Sequence, residues 1–408
     1  VVPQCENQMI SKKSKKQDAV IIVCMGKRDS GMERCALLQH QAFIEAGIDS
    51  VLVCNRDGWI AKQARARNLP IAPCWNGGFC SQTFAWLPGL QWTLWRLIRR
   101  FGDRLLAIHC QMPREVFAAK RVAGKVPIIF SQHTQTNIVS SQLRRSVDGF
   151  IGVSPAVVAQ FAALNKRDGI VCPMLAVPPY VDYKRFIEPA LFSDFLKIPT
   201  RHESFLNPPL TLSSVEWAKF DRTRKSGPII LQIAHIPTNS TQKNHPFLLQ
   251  AVHELVHKRH TPVQLVCAGG GNAEPLRLLV QELQLIDYVF FVGLTEDTPA
   301  LLAAADINIL ASSKEAFGMV LLEGALLAKP TIAARGIGAA DWLVTDRDTG
   351  FLFQSDDVQS LVDTIAFVLT NPEKAAACGQ RLQERAMAHF LAAQSVATTM
   401  AFYHEVKK

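Results

Sequence analysis

Residues 315–323 read Glu315-Ala-Phe-Gly-Met-Val-Leu-Leu-Glu323, and their setting decides the fold. Upstream, Ile307-Asn-Ile-Leu-Ala311 is the apolar run of a buried strand. Downstream, residues 320–328 carry a helical pattern that stops at Lys329-Pro330. Strand, turn at Gly318, then helix brings backbone N–H groups and the positive end of a helix dipole to one point. That point suits an anion, most often a phosphate. Two carboxylates flanking it call for hydroxyl groups on the same ligand. A nucleotide-sugar carries both.

Outward from this motif, strand-like and helix-like segments alternate. In the second half the strands are residues 229–234, 263–268, 289–292, 307–311 and 331–334, with helices at 245–258, 273–283, 300–304 and 320–328. In the first half, strands at 20–25, 50–54, 105–109, 126–130 and 149–153 alternate with helices such as 32–46 and 155–164. Alternation with short connections predicts parallel sheets covered on both faces. The rhythm breaks between about 178 and 226, where Pro178-Pro179, Pro189, Pro199 and Pro208-Pro209 cluster. The expected organisation is a basic lead-in (1–18), a first Rossmann-like domain (19–182), a connection (183–226), a second Rossmann-like domain (227–388) and a C-terminal helix (389–408). A chain of 408 residues fits two such domains better than one core. Ligands of these sheets bind beyond the carboxyl ends of the strands.

Composition narrows the partners. The net charge of +9 lies in the first half. Residues 1–200 hold 26 Lys+Arg against 14 Asp+Glu, a balance of +12; residues 201–408 hold 18 against 21, a balance of −3. That half should face something acidic: an anionic membrane, a phosphorylated acceptor or nucleic acid. No apolar run reaches the roughly 18 residues of a membrane span, and no secretory leader is evident. The ten cysteines have no Cys-x-x-Cys spacing, and Cys24, Cys54 and Cys267 fall in strand-like runs. Neither a disulfide framework nor a zinc site is expected, and the chain reads as cytoplasmic.

The loop Gly26-Lys-Arg-Asp-Ser-Gly-Met-Glu-Arg34 joins a strand to a helix, and Gly31 admits close approach of a ligand. It is neither a GxGxxG fingerprint nor a P-loop, which disfavours a nicotinamide dehydrogenase and excludes a P-loop NTPase. In the second half, Lys243 ends the loop that begins at His235, where a lysine can meet a diphosphate as a point charge. Gly269-Gly270-Gly271-Asn272 follows a strand and either admits a ligand or turns the chain. The two glutamates, eight residues apart, would stand roughly 12 Å apart at helical rise. That is wide for a hydrolase pair and suits gripping two parts of one ligand. Asp346-Arg-Asp348 lies in a polar turn and reads as chance rather than a metal motif.

Together these residues resemble the retaining GT-B glycosyltransferases of family 4, also described as glycosyl transferases group 1. The resemblance runs through Lys243-Asn244, Cys267-Ala-Gly-Gly-Gly271, Phe291-Val-Gly-Leu-Thr295, Leu301 to Asp306, Glu315 to Glu323, Lys329-Pro330, Gly336-Ile-Gly338 with Asp341, and Thr349-Gly350. In the first half it rests on Ser30-Gly-Met-Glu-Arg34, His133, Val153-Ser154 and Pro178-Pro-Tyr-Val-Asp182. It implies two doubly wound Rossmann-like domains facing across a cleft. It further implies sugar transfer from a nucleotide-diphosphate sugar, UDP-sugar first, with retention and with neither metal nor cofactor. Lys243, Glu315 and His133 become the catalytic candidates. Gly31, His235, Gly270, Phe317, Gly318, Met319, Val320 and Glu323 become the donor-binding ones. Glu323 would hold the ribose hydroxyls, Glu315 those of the transferred sugar, and His133 the sugar or the acceptor. One departure stands out. The family's arginine after the first strand of the second domain is His235 here, which leaves Arg28 or Lys27 as substitutes or weakens diphosphate binding.

The expected acceptor is an anionic glycolipid or surface polysaccharide, such as a lipopolysaccharide core, and no nucleic acid. Residues 86–104 add a candidate membrane contact. Leu90, Leu94, Leu97, Ile98 and Phe101 make one helical face, and Trp92, Trp95, Arg96, Arg99 and Arg100 fill the flanks. The same helix also reads as one packed on the first sheet. The rival functions are a nucleotide-sugar epimerase of the same fold and a non-catalytic sugar- or lipid-binding module.

Overall fold

The computed structural model describes residues 17–74, 87–134, 139–187, 227–236, 242–295 and 297–408. The basic run at 11–16, Trp86, most of the connection (188–226) and residues 237–241 of the loop before Lys243 lie outside them.

Two all-parallel sheets carry the chain. The first has seven strands: β1 (Ala19–Cys24), β2 (Asp49–Asn55), β3 (Ile71–Cys74), β4 (Leu105–Cys110), β5 (Ile128–Gln132), β6 (Gly149–Gly152) and β7 (Met174–Ala176). They lie in the order β3-β2-β1-β4-β5-β6-β7. The second has β8 (Ile229–Ile233), β9 (Gln264–Ala268), β10 (Val289–Gly293), β11 (Ile307–Leu310), β12 (Thr331–Ala334) and β13 (Phe351–Phe353), ordered β10-β9-β8-β11-β12-β13. Both sheets start at an inner strand, wind outward to one edge, then return to the other side. The order therefore reverses between β1 and β4, and between β8 and β11, which is where doubly wound sheets open a crevice.

The strands explain themselves. β1 is Ala-Val-Ile-Ile-Val-Cys with every residue buried, because helices cover both faces of a parallel sheet. The expected strands all appear, within about two residues of their predicted ends. β3, β7 and the helix Trp59–Ala66 were not read from the sequence; they are short, and β3 contains Pro73 and is mostly half-buried at the sheet edge. The predicted helix at 245–258 is an α-helix, His245–His253, continued by a π-helical turn, Glu254–Lys258.

The chain forms two compact units. One comprises residues up to Ser131, Ser140–Phe150 and Val396–Lys408; the other comprises Gln132–Val139 and Ile151–Ser395. The C-terminal helix Ala392–Lys407 therefore contributes its last three turns or so to the first unit. There Lys407 Nζ donates to the carbonyls of Asp103 and Leu105, at 2.6 and 2.9 Å. The thiols of Cys24, Cys54 and Cys267 are buried and free, and burial raises each above the usual thiol range. Among the described residues no helix is long and apolar enough to cross a membrane.

Candidate functional site

The opening motif sits at the carboxyl ends of β8 and β11, the reversal point of the second sheet. β11 ends at Leu310, and its apolar run continues into buried Ala311 and Ser312. The chain then turns at Gly318, whose φ of 90° is left-handed. A Cβ there would lie 2.6 Å from Leu310 Cδ2, so only glycine fits both the backbone and the space. The helix Met319–Leu326 follows, with Met319 and Val320 supplying its first N–H groups. Glu323 lies on this helix, half-buried.

Lys243 and Glu315 are brought together, although 72 residues separate them. Lys243 Nζ lies 2.5 Å from Glu315 Oε1. The same oxygen accepts from Ser312 Oγ at 2.8 Å. The lysine is held from behind as well. Gln232, on β8, donates through Nε2 to the Lys243 carbonyl at 2.7 Å. Ser313 N donates to the Gln242 carbonyl at 2.9 Å, and Gln242 Nε2 to the Lys314 carbonyl at 2.9 Å. These bonds join the loop after β8 to the loop after β11. Both charges are largely withdrawn from solvent, with side-chain exposures of 23% and 13%, so water screens them less than a surface pair.

The sequence reading did not single out Gln232, Gln242, Ser312 or His245. A glutamine in the middle of an apolar strand was the one available signal, because a buried amide needs a partner. His245 opens the helix His245–His253 and is only 3% exposed. Burial, then the Lys243 and His235 charges, pulls its imidazole down to about 4, so it is neutral at pH 7. His235 itself is exposed.

The glycine turn after β9 resolves in favour of backbone packing at two of its three glycines. Gly269 has φ 147°, and a Cβ on it would stand 2.1 Å from the Ala234 carbonyl oxygen. This lets the chain beyond β9 run alongside the chain beyond β8, with Ile236 N donating to the Gly270 carbonyl at 2.9 Å. Gly270 is half-buried and uncrowded, with Leu294 Cβ at 3.7 Å from a Cβ placed there. Phe317 is buried, its ring edge-on to Trp342 at 6.3 Å and tilted against Phe390 at 6.5 Å. Its carbonyl accepts from Ala339 N at 2.8 Å, which seats the Gly336–Gly338 turn against the motif. Asp341 Oδ2 accepts from Gly336 N at 2.5 Å. Asp346 and Asp348 pair with Arg335 and Arg381, so both carboxylates are engaged in the fold.

The first-half candidates sit at strand ends of the first sheet. Gly31 starts the helix Gly31–Glu45, is exposed, and has no atom within 4 Å of a Cβ placed on it. The fold therefore does not require glycine there. Lys27 and Arg28 are exposed in the same loop. His133 follows β5 directly, half-buried, and burial holds its imidazole down at about 4. Among the described residues no group of three or more His, Cys, Asp or Glu is arranged to hold a metal ion.

Comparison with known proteins agrees with this layout. Residues 30–182 match Glycosyltransferase Family 4, and residues 216–385 match Glycosyl transferases group 1. A curated relative, N-acetyl-alpha-D-glucosaminyl L-malate synthase of Bacillus anthracis, is 29% identical over 174 residues, 43% of this chain and 45% of its own length. The chain spans less than half the length of the first curated relatives it matches. Among solved structures, a glycosyltransferase from Rickettsia africae ESF-5 superposes with a TM-score of 0.76 at 17% identity, over 97% of this chain and 100% of that one. Anabaena Alr3699/HepE in complex with UDP gives 0.71 at 16% identity, over 95% and 100%. Two Rossmann-like sheets with the paired glutamate motif on the second, matched in chain order by both domain families, place this chain among the GT-B glycosyltransferases of the family 4 type.

Proposed function

We propose that this chain transfers a sugar, with retention and without a metal, from a nucleotide-diphosphate sugar to an anionic glycolipid or surface-polysaccharide acceptor. The observation that carries the reading is the Lys243–Glu315 pair at the mouth of β8 and β11, beside the helix that Gly318 opens. In the reaction the acceptor oxygen bonds to the anomeric carbon while the bond to the donor phosphate oxygen breaks. The diphosphate leaves with the electron pair, and the acceptor proton ends on the diphosphate or in solvent. Charge grows on the leaving group, so it needs preset positive partners. Lys243 and the N–H groups of Met319 and Val320 supply them. Glu315 keeps the Lys243 ammonium in place until the diphosphate competes for it, and then turns to hydroxyls of the transferred sugar. Glu323 takes the ribose hydroxyls. His133, neutral at pH 7, exchanges hydrogen bonds with sugar or acceptor hydroxyls without adding charge.

UDP-sugar is the first donor to test, since the similar Anabaena structure was solved with UDP. The acceptor reading rests on the basic first half. A membrane-borne acceptor also fits the helix Leu87–Phe101 as a peripheral contact with an anionic membrane. Leu90, Leu94, Leu97 and Phe101 are buried in the fold, whereas Trp92 and Trp95 are 58% and 43% exposed. Arg96 stacks on Trp92 and Arg99 on Trp95, each 4.6 Å from the ring centre.

Incubating the purified protein with a panel of nucleotide-sugars, and following release of nucleotide diphosphate, tests the reading. Release with one or more donors is expected. Binding of a donor with no release from any member of the panel, with acceptor extracts present, would instead favour the non-catalytic module. The exposed His235, standing where the family has arginine, is the observation behind that second reading.

A further inference from the structure

Tyr403, on the helix Ala392–Lys407, reaches into the first unit and places its hydroxyl against His109 Nδ1 of β4. The two rings meet edge to face with centroids 5.7 Å apart, and Phe43 closes on Tyr403 from another side at 6.2 Å. Both Tyr403 and His109 are buried. Neither belongs to the site described above. A buried histidine facing a buried tyrosine hydroxyl stays in a core only where its bonds are made, because the interior penalises unmade ones.

Those bonds continue. Gln111 Nε2 donates to Gln39 Oε1 at 3.2 Å, which fixes the Gln39 amide with Nε2 3.2 Å from His109 Nδ1. An amide nitrogen only donates, so Nδ1 is the bare nitrogen and Nε2 carries the proton. His109 Nε2 then donates to Ser131 Oγ at 2.6 Å. On the other branch the backbone N–H of Gln111 donates to Glu115 Oε2 at 2.8 Å, and Glu115 Oε1 accepts from Met25 N at 2.6 Å. Gln39, Gln111, Ser131 and Glu115 are all buried. The path has two ends. Met25 opens the loop that carries Gly31. Ser131 lies in β5, two residues before His133.

We infer that His109 is a positioning residue that ties the seating of the C-terminal helix to the first-half loops bearing Gly31 and His133. The glutamine pair sets the tautomer, and the Tyr403 hydroxyl, donating to the same Nδ1, sets the tilt of the ring. Without it, Nδ1 loses its hydroxyl donor, and the ring from which both branches start is held less firmly. The link to substrate binding rests on the transferase reading; the coupling itself stands on the bonds alone.

Hydrogen–deuterium exchange of the full chain tests the coupling without activity. Tyr403→Phe keeps the ring and removes the hydroxyl. Exchange at residues 25–31 and 131–134 should then run about two- to tenfold faster, the effect of one ordinary hydrogen bond on local opening. The six strands of the second sheet should not change. Faster exchange confined to residues 392–407 would overturn the inference, because Tyr403 would then only pack. Gln39→Met is the second variant. It cuts the branch toward Met25 and leaves the helix contact, so residues 25–31 should exchange faster while 392–407 stay as in the parent; no change at 25–31 would also overturn it. With a working donor and acceptor, Tyr403→Phe should raise the KM for donor and acceptor several-fold, since the two loops bear Gly31, a donor-binding candidate, and His133, a candidate for the sugar or the acceptor. Absence of turnover in the parent would count against the transferase reading, while the exchange data would still decide this one.

Discussion

Lys243 Nζ stands 2.5 Å from Glu315 Oε1, which joins the loop after β8 to the loop after β11 across the point where the second sheet reverses. An ammonium and a carboxylate this close, both mostly covered, hold each other's geometry before any ligand arrives. In the proposed reaction the lysine and the helix N-terminus would be two sources of positive charge set close to the leaving diphosphate, the lysine once it exchanges Glu315 for phosphate.

Lys243→Ala should lower turnover by about 10²–10³-fold if the lysine stabilises the leaving group, as loss of one such donor typically does. Circular dichroism and melting temperature should stay near those of the parent, since the backbone at 242–244 is held by Gln232 and Ser313. Unchanged turnover would remove Lys243 from the chemistry.

Gly318→Ala and Gly31→Ala should separate fold from function. Alanine at 318 meets Leu310 Cδ2 at 2.6 Å in a left-handed backbone, so thermal or urea unfolding should show a loss of about 1–3 kcal/mol. At Gly31 there is room for a methyl group, and alanine favours the helix, so stability should hold or rise slightly. If a ligand approaches the Gly31 backbone, turnover or binding should still fall. Equal loss of stability in both variants would contradict the geometry.

His245 should make stability fall with acidity. Its folded pKa of about 4 lies below the ordinary imidazole value of 6.5. Between those values the unfolded chain takes up a proton that the folded one refuses. Stability is therefore full above about pH 6.5 and declines as pH drops toward 4, by about 1.4 kcal/mol per unit for this one group. His40 and His133, also held near 4 by burial, add slopes of the same sign. Urea unfolding of the parent and of His245→Leu across this window should show stability falling less steeply with acidity in the variant. Parallel curves would mean that His245 is not the buried neutral group described.

Replacing Trp92, Trp95, Arg99 and Arg100 together should weaken sedimentation with vesicles rich in anionic phospholipid. The loss should be smaller at high salt, where the parent also binds less. Because these side chains are exposed and the buried face of the helix is untouched, the variant should fold. A parent that never sediments with such vesicles would end the membrane reading at once.

The strand-turn-helix around Gly318 was legible because each part has a local cause: an apolar run, a residue free of Cβ, and a helical pattern stopped before Pro330. The parallel sheets were legible for the same reason, since strands buried on both faces read as unbroken apolar runs. β3 escaped because an edge strand with a proline carries little of that signal. Gly269 was equally visible as a glycine, yet its purpose was not. Only the neighbouring Ala234 carbonyl, 35 residues away in sequence, shows why a side chain cannot stand there.

The sequence by itself determined two doubly wound halves, placed the basic charge in the first, and singled out Lys243, Glu315 and Glu323 as candidates. Tertiary structure alone decided which groups meet. It set Lys243 against Glu315, put Gln232 and Ser312 behind them, buried His245 as a neutral imidazole, and led Tyr403 to His109 across nearly 300 residues of chain. Hydrogen-bond partners and desolvation depend on distances through space, and no local periodicity in the chain encodes them.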